Sequence, residues 1–287
     1  MRILVTGGTG FVGSEIVREA RAAGHATILL NRIEAAAAVE TCADRMHGCA
    51  SVIHLVGIIS EVGEQTFENV HPRLTQKIVQ AAKQAQVRRF IHMSALGTRA
   101  NAIARYHRTK WASEEIVRTS GLDWTIFRPS IIYGPHDGFV NLFARFTRFS
   151  PVVPLLGGGH TKFQPISVTS VARSFVSALT EPQAVGRTFD LVGDEVLTLR
   201  QIVDAILRTT RRRRLKVPLP FSLAVVQATV AEFLFARLLG KPPPLNRDQL
   251  LMLREDSVAD GTVANELFGL RHKPFAAGIG RYLKRVA

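Results

Sequence analysis

Residues 2–13 read RILVTGGTGFVG, and they decide the fold. Ile3, Leu4 and Val5 make a short buried strand. Gly7, Gly8, Gly10 and Gly13 follow at once. A helix is expected from about Thr9 or Gly10 up to Gly24, which stops it. A strand, a glycine turn and a helix in that order suit the phosphates of a dinucleotide. The glycines let the turn tighten, let backbone approach a pyrophosphate, and let helix and strand pack closely. The helix N-terminus then offers free N–H groups and a partial positive charge to the anion. The spacing is Gly7-x-x-Gly10-x-x-Gly13 rather than GxGxxG, and any strand–helix unit can carry a glycine turn. The context favours binding, because residues 26–30 form a second hydrophobic strand just after the helix.

That second strand ends in Asn31-Arg32. An NAD site usually places Asp or Glu there for the ribose 2′-hydroxyl, whereas an arginine accommodates a 2′-phosphate. Arg32 without an acid therefore points to NADP(H) over NAD(H), although an arginine can also simply close a strand on the surface. Residues 33–50 then leave 18 positions before the next strand at 51–56. A helix, a strand and another helix do not fit in that length. The third strand of the usual sheet should be missing, or survive as a stub near Val39–Cys42. The alanine run 35–38 favours one helix over the stub. Asp44 is a weak counterpart to the acid expected near an adenine, so the adenine pocket should be more open than usual.

Farther along, helical apolar spacing marks residues 65–86. Strands are expected at 89–93 and 124–127, with a helix at 105–120 between them. Strands alternating with helices imply an α/β fold, a Rossmann-type doubly wound parallel sheet. The pattern changes after Pro129. Residues 131–135 read as a glycine-proline turn and 140–149 as a helix. Residues 164–168 and 187–191 read as returning strands, and 198–209 as a helix. These suggest a nucleotide-binding domain over 1–135, with returning strands near 163–195, and a smaller C-terminal α/β domain over 136–287. Residues 218–240 approach membrane-span length but carry Gln227, Glu232 and Arg237, so they read as an amphipathic helix packed in the small domain. A helix lying on a membrane surface is the other reading.

Apolar residues form 46% of the 287, enough for a full core and against a disordered chain. Two cysteines, Cys42 and Cys49, are too few for a disulfide framework or a zinc site, and point to a reducing compartment. A strand from residue 2 leaves no room ahead of it for a signal peptide. The expected location is cytoplasmic, with a peripheral place at the inner face of a membrane as the variant. Net charge is +14. Such an excess suits a solvated basic face, or an acidic protein or anionic membrane surface as partner. Arg211–Arg214 with Lys216 is the densest run, and no aromatic residues interleave with it, which weighs against nucleic acid. His54 and His92 lie inside strands and read as satisfied core residues. No histidine and carboxylate show metal-ligand spacing.

Tyr106 and Lys110 stand four apart at the start of a helix, on one face. Ser94 lies at the C-terminal end of a parallel strand, the edge where such sheets do chemistry. A tyrosine with a pKa of about 10 is a poor base at neutral pH. A lysine cation beside it favours the phenolate, and a serine can hold a carbonyl or hydroxyl next to it. A surface Tyr–Lys pair is the plain alternative.

TGGTGFVG, Ser94, YHRTK at 106–110, RPSIIYGP at 128–135 and FQPISVTSVA at 163–172 together resemble extended short-chain dehydrogenase/reductases. HLVGIISE at 54–61 and KPPPLNRDQLLMLREDSV at 241–258 are similar to the nucleotide-binding accessory-subunit family of respiratory complex I and its bacterial relatives. That resemblance implies NADPH binding in support of assembly or stability rather than turnover. It implies that Gly7, Gly10, Phe11, Val12 and Gly13 line the pyrophosphate, and that Asn31 and Arg32 meet the adenosine ribose or its phosphate. Leu55, Val56 and Gly57 would run past the adenine side. Tyr106 and Lys110 would bind the nicotinamide ribose, and Pro129, Ile131 and Ile132 would flank the nicotinamide. Ser170 stands where the family commonly has an acid. Three readings follow: an accessory or assembly protein holding NADP(H), an active oxidoreductase or epimerase using Ser94, Tyr106 and Lys110, and a nucleic-acid-binding member favoured by charge alone. The active form would take a small carbonyl, quinone, isoprenoid or sugar-nucleotide substrate.

Overall fold

A computed structural model describes residues 1–31, 34–35, 37–235, 243 and 245–283. The first half alternates β1 (Arg2–Thr6), α1 (Phe11–Ala22), β2 (Ala26–Leu30), α2 (Val39–Met46), β3 (Ser51–His54), α3 (Leu74–Gln84), β4 (Arg89–Met93), α4 (Arg105–Arg118) and β5 (Asp123–Pro129). It continues through β6 (Ile132–Tyr133), α5 (Val140–Phe149), β7 (Val152–Leu156), β8 (Lys162–Phe163), β9 (Ile166–Ser167), α6 (Val168–Ser177) and β10 (Arg187–Leu191). The C-terminal part holds β11 (Leu197–Thr198), α7 (Leu199–Thr209), β12 (Leu215–Leu219), α8 (Phe221–Leu234), α9 (Arg247–Met252), α10 (Thr262–Leu267) and α11 (Phe275–Ile279).

Six strands form the main sheet in the order β10-β5-β4-β3-β1-β2, and every pairing is parallel. β2 is an edge strand. Among the described residues no third strand lies outside it, and the interval before β3 holds α2 instead. Within the alanine run Ala35 is helical together with Glu34, and Ala38 is the extended N-cap of α2. The residues before it turn the chain off the strand edge. Asn31 N–H donates to Glu34 Oε2 at 2.9 Å, and Glu34 N–H donates back to Asn31 Oδ1 at 3.0 Å. Burial of Cys42, Ala43 and Met46 then sets the phase of α2. At 65–86 the expected helix opens with a π-helical turn, Asn69–Arg73, around Pro72, which has no N–H to donate.

Two cores lie on the sheet's faces. One gathers Ile3, Val5, Ile16, Ile53 and Phe127 with Phe175, Phe189 and Phe268 from the returning segments. The other packs Leu4, Val52, Phe90 and Ile126 against α2 and α3. A third core, with Val153, Leu155, Ile202, Ile206 and Ile279, belongs to α5, α7 and α11. The returning strand expected at 164–168 is only β9, paired with β6. It stops because Ser167 caps α6, accepting from Ser170 N–H at 3.1 Å. Ser170 keeps a contact in that segment, with its Oγ 3.4 Å from His272 Nδ1.

The expected amphipathic helix is apolar on both sides. α8 buries Ala224 and Ala228 and exposes Leu223, Val226 and Val230. Residues 236–240 lie outside the described residues. Among the described residues no helix is long and apolar enough to cross a membrane. The two histidines differ. His54 is satisfied, with Thr6 Oγ1 at 2.7 Å and Thr75 Oγ1 at 3.2 Å. His92 stacks on it at 5.4 Å, but neither ring nitrogen has a partner.

Candidate functional site

The glycine turn divides its labour by position. Gly7 takes φ +71°, the left-handed backbone that tightens the turn. A Cβ on Gly13 would stand 2.1 Å from Gly7 O, so only glycine lets α1 pack there. A Cβ on Gly10 would meet nothing nearer than 3.4 Å, which leaves that backbone bare on its outer side. Gly10 is also the N-cap of α1 and brings no side-chain cap, and the first turn has no acid. The leading N–H groups, from Phe11, Val12 and Gly13, therefore suit a pyrophosphate. The residues fit a dinucleotide on geometry alone.

Leu55, Val56 and Gly57 leave β3 directly above this turn. A Cβ on Gly7 would lie 3.3 Å from Val56 N, and one on Gly57 would lie 2.9 Å from Lys110 Nζ. The loop thus runs from the phosphate turn to Lys110. Lys110 Nζ donates to Met93 O at 3.1 Å, which sets it beside Ser94 at the end of β4. Ser94 Oγ donates to Thr98 Oγ1 at 3.3 Å. Ser94 N–H donates to Phe127 O and Leu96 N–H to Pro129 O, so the end of β5 joins the same edge. Ile131 O accepts from Ile166 N–H, and Ile132 starts β6. Asn31 sits at the end of β2 with its side-chain oxygen engaged by Glu34. Glu34, a carboxylate near that strand end, is also 3.2 Å from Arg45. Arg32 lies outside the described residues.

Tyr106 is 9% exposed. Phe67, His71 and His107 all meet its ring edge-on, at 6.0, 5.4 and 5.4 Å. Burial and the Asp248 carboxylate push its phenol up to about 12. Burial pushes the Lys110 ammonium down to about 8, against the pull of Glu114.

No local spacing in the sequence points to the roles of His71 and Asp248. His71, in the π-helical turn, has Nδ1 2.8 Å from Thr109 Oγ1 and Nε2 3.1 Å from Ile58 O. It clamps the 57–58 loop to the helix of Tyr106 and Lys110. Burial, with the Lys110 charge, pushes its imidazole down to about 2, so it works as a neutral ring. Asp248, on α9, accepts from Arg105 N–H at 2.8 Å and Tyr106 N–H at 2.7 Å. It caps α4, whose own N-cap, Ala104, has no side chain to do so. Its neighbours fasten the same strap. Asn246 Nδ2 donates to Ile59 O at 2.8 Å, and Arg99 Nη2 meets both oxygens of Glu255 at 2.8 and 2.9 Å. Among the described residues no cluster of histidine, cysteine and carboxylate could hold a metal.

The family described as NAD(P)H-binding matches residues 7–182. The chain belongs to this NAD(P)H-binding family. The mitochondrial NADH dehydrogenase [ubiquinone] 1 alpha subcomplex subunit 9 of Arabidopsis thaliana is 32% identical over 212 residues, covering 72% of this chain and 53% of that protein. Its Rattus norvegicus counterpart is 37% identical over 170 residues, covering 59% of this chain and 45% of that protein. The chain spans about half the length of these curated relatives. Among solved structures, MoeE5 in complex with UDP-glucose and NAD superposes with a TM-score of 0.75 at 17% identity, over 100% of this chain and 98% of that one. That likeness shows the Rossmann-type fold. The matched range begins at Gly7, so it takes in the glycine turn from Gly7 to Gly13.

Proposed function

We propose that this chain holds NADP(H) as an accessory or assembly protein, in the manner its relatives' names suggest for a respiratory NADH dehydrogenase, and docks on an anionic partner. The state of Tyr106 carries the reading. Its phenol is buried and held protonated, with a carboxylate at its own backbone N–H. Lys110 gives a bond to Met93 O and stands against Gly57. Such a pair suits gripping a ribose more than abstracting a proton. Gly7, Gly10, Phe11, Val12 and Gly13 would hold the pyrophosphate. Leu55–Gly57 would run past the adenine side, and Pro129, Ile131 and Ile132 would border the nicotinamide. When bound, the cofactor would bring hydride chemistry. Arg32 supports the phosphorylated form through charge-assisted hydrogen bonds. Ser94, Tyr106 and Lys110, with Lys110 Nζ bonded to the carbonyl just before Ser94, support the second reading, an oxidoreductase or epimerase.

Calorimetry with NADPH and NADH tests the first reading, and NADPH is expected to bind at least tenfold tighter. Equal affinity, or tighter NADH, would remove the 2′-phosphate argument. Bound NADPH is expected to stay reduced when a quinone or aldehyde is added. Sustained oxidation would move the protein to the second reading.

A further inference from the structure

The fold splits the densest basic run, Arg211–Arg214. Arg212 Nη1 donates to Ala144 O at 2.7 Å and Arg214 Nε to Thr147 O at 2.8 Å, so both cap the last turn of α5. Lys216 pairs with Asp204. Arg211 and Arg213 are left exposed. They face outward beside the exposed end of α5, where Arg145, Phe146, Arg148 and Phe149 follow one another around Thr147. Leu215 N–H donates to Pro151 O at 3.0 Å, which brings the start of β12 against this end. Phe149 is 84% exposed and Leu215 66%. Arg145, Arg148 and Arg212 line a notch of about 20 Å³ with Thr210. That space takes one oxygen atom or a water, not a free sugar phosphate. Among the described residues no carboxylate pairs with Arg145, Arg148, Arg211 or Arg213.

Guanidinium groups without carboxylates fit phosphate oxygens. Large exposed apolar side chains among them mark a docking surface. The side chains among the arginines decide which kind. Exposed Phe149 and Leu215 beside unpaired guanidinium groups suit the boundary between headgroups and acyl chains better than the carboxylate-rich surface of an acidic protein.

We propose that the end of α5 and residues 211–217 form a docking face for a bilayer surface rich in anionic phospholipid. Arginines take headgroup phosphates, and Phe149 and Leu215 enter among the acyl ends. This deepens the docking part of the function above and does not rest on the nucleotide site.

The test is flotation of the full chain with vesicles of phosphatidylcholine, with and without phosphatidylglycerol, at low and high salt. The chain is expected to float only with phosphatidylglycerol, and less at high salt. Arg145→Glu with Arg148→Glu should lower binding about tenfold or more. Phe149→Ser should lower it several-fold while leaving the salt dependence in place. Each variant should keep the wild-type affinity for NADPH. Wild-type protein that stays unbound overturns the proposal, as does binding that ignores both variants. Release by inorganic phosphate beyond that caused by sodium chloride of equal ionic strength also overturns it, in favour of a free-anion site. Lipid binding that persists while NADPH fails to bind counts against the nucleotide reading and leaves this face standing.

Discussion

At the scale of the residue, Lys110 is a costly side chain to bury, being only 2% exposed. Its ammonium falls from 10.5 to about 8, with burial as the main cause. Below about pH 8 the folded and unfolded chains both hold this proton, and the fold bears the full cost, about 3 kcal/mol. Between about 8 and 10.5 the unfolded chain binds more protons, so native stability rises with pH. The Met93 hydrogen bond offsets about 1 kcal/mol. Lys110→Met should therefore stabilise the protein by about 2 kcal/mol at neutral pH. The gain should shrink as pH climbs through that window, as followed by denaturant midpoints at several pH values. The same variant should bind nucleotide at least tenfold more weakly, because it removes both a donor and a charge. A variant that is less stable at pH 7, or that keeps full affinity, would return Lys110 to a structural role. The glycines and the Tyr–Lys pair were legible in the sequence because their chemistry is local: a φ, a helix start, a spacing of four. His92 was misjudged as satisfied because its orphaned nitrogens depend on what packs around a strand and not on the strand itself.

Element by element, the missing third strand was readable from a count of residues, since 18 positions hold one crossover and no more. The exact helix was not. Alanine propensity pointed to 35–38; Glu34 and Ala35 are helical, but burial of Cys42, Ala43 and Met46 sets the longer helix at Val39–Met46. Propensity is worth tenths of a kcal/mol per residue, and burial of one side chain outweighs it. With β2 as the sheet edge, one wall of an adenine pocket beside it would be thinner, while the glycine turn is intact. NADPH affinity should then fall steeply from low to high ionic strength, because phosphate contacts dominate it. Titrations at several salt concentrations check this, and a flat profile would mean that apolar contacts hold the adenine.

On the scale of the whole molecule, one carboxylate ties the C-terminal strap to the helix of Tyr106. Asp248 is a positioning residue that accepts two backbone N–H groups of α4 from 142 and 143 residues away. Asp248→Ala should cost about 2 kcal/mol, a cap with a charge-assisted component. It should also let Tyr106 ionise at lower pH, since the carboxylate is one of the two causes holding its phenol up. Thermal unfolding and tyrosinate absorbance against pH read the two effects. An unchanged Tyr106 titration would mean that burial alone sets it. By itself the sequence determined the parallel α/β fold, the glycine turn, the lack of a third strand among the described residues and the helix carrying Tyr106 and Lys110. Each rests on periodicity, chain length or backbone freedom within a short stretch. Only the tertiary structure decided that His71 clamps the loop, that Asp248 caps α4, and that the arginine run splits into caps and an exposed face. Those outcomes depend on which distant groups meet, and the spacing of residues along a chain carries no record of that.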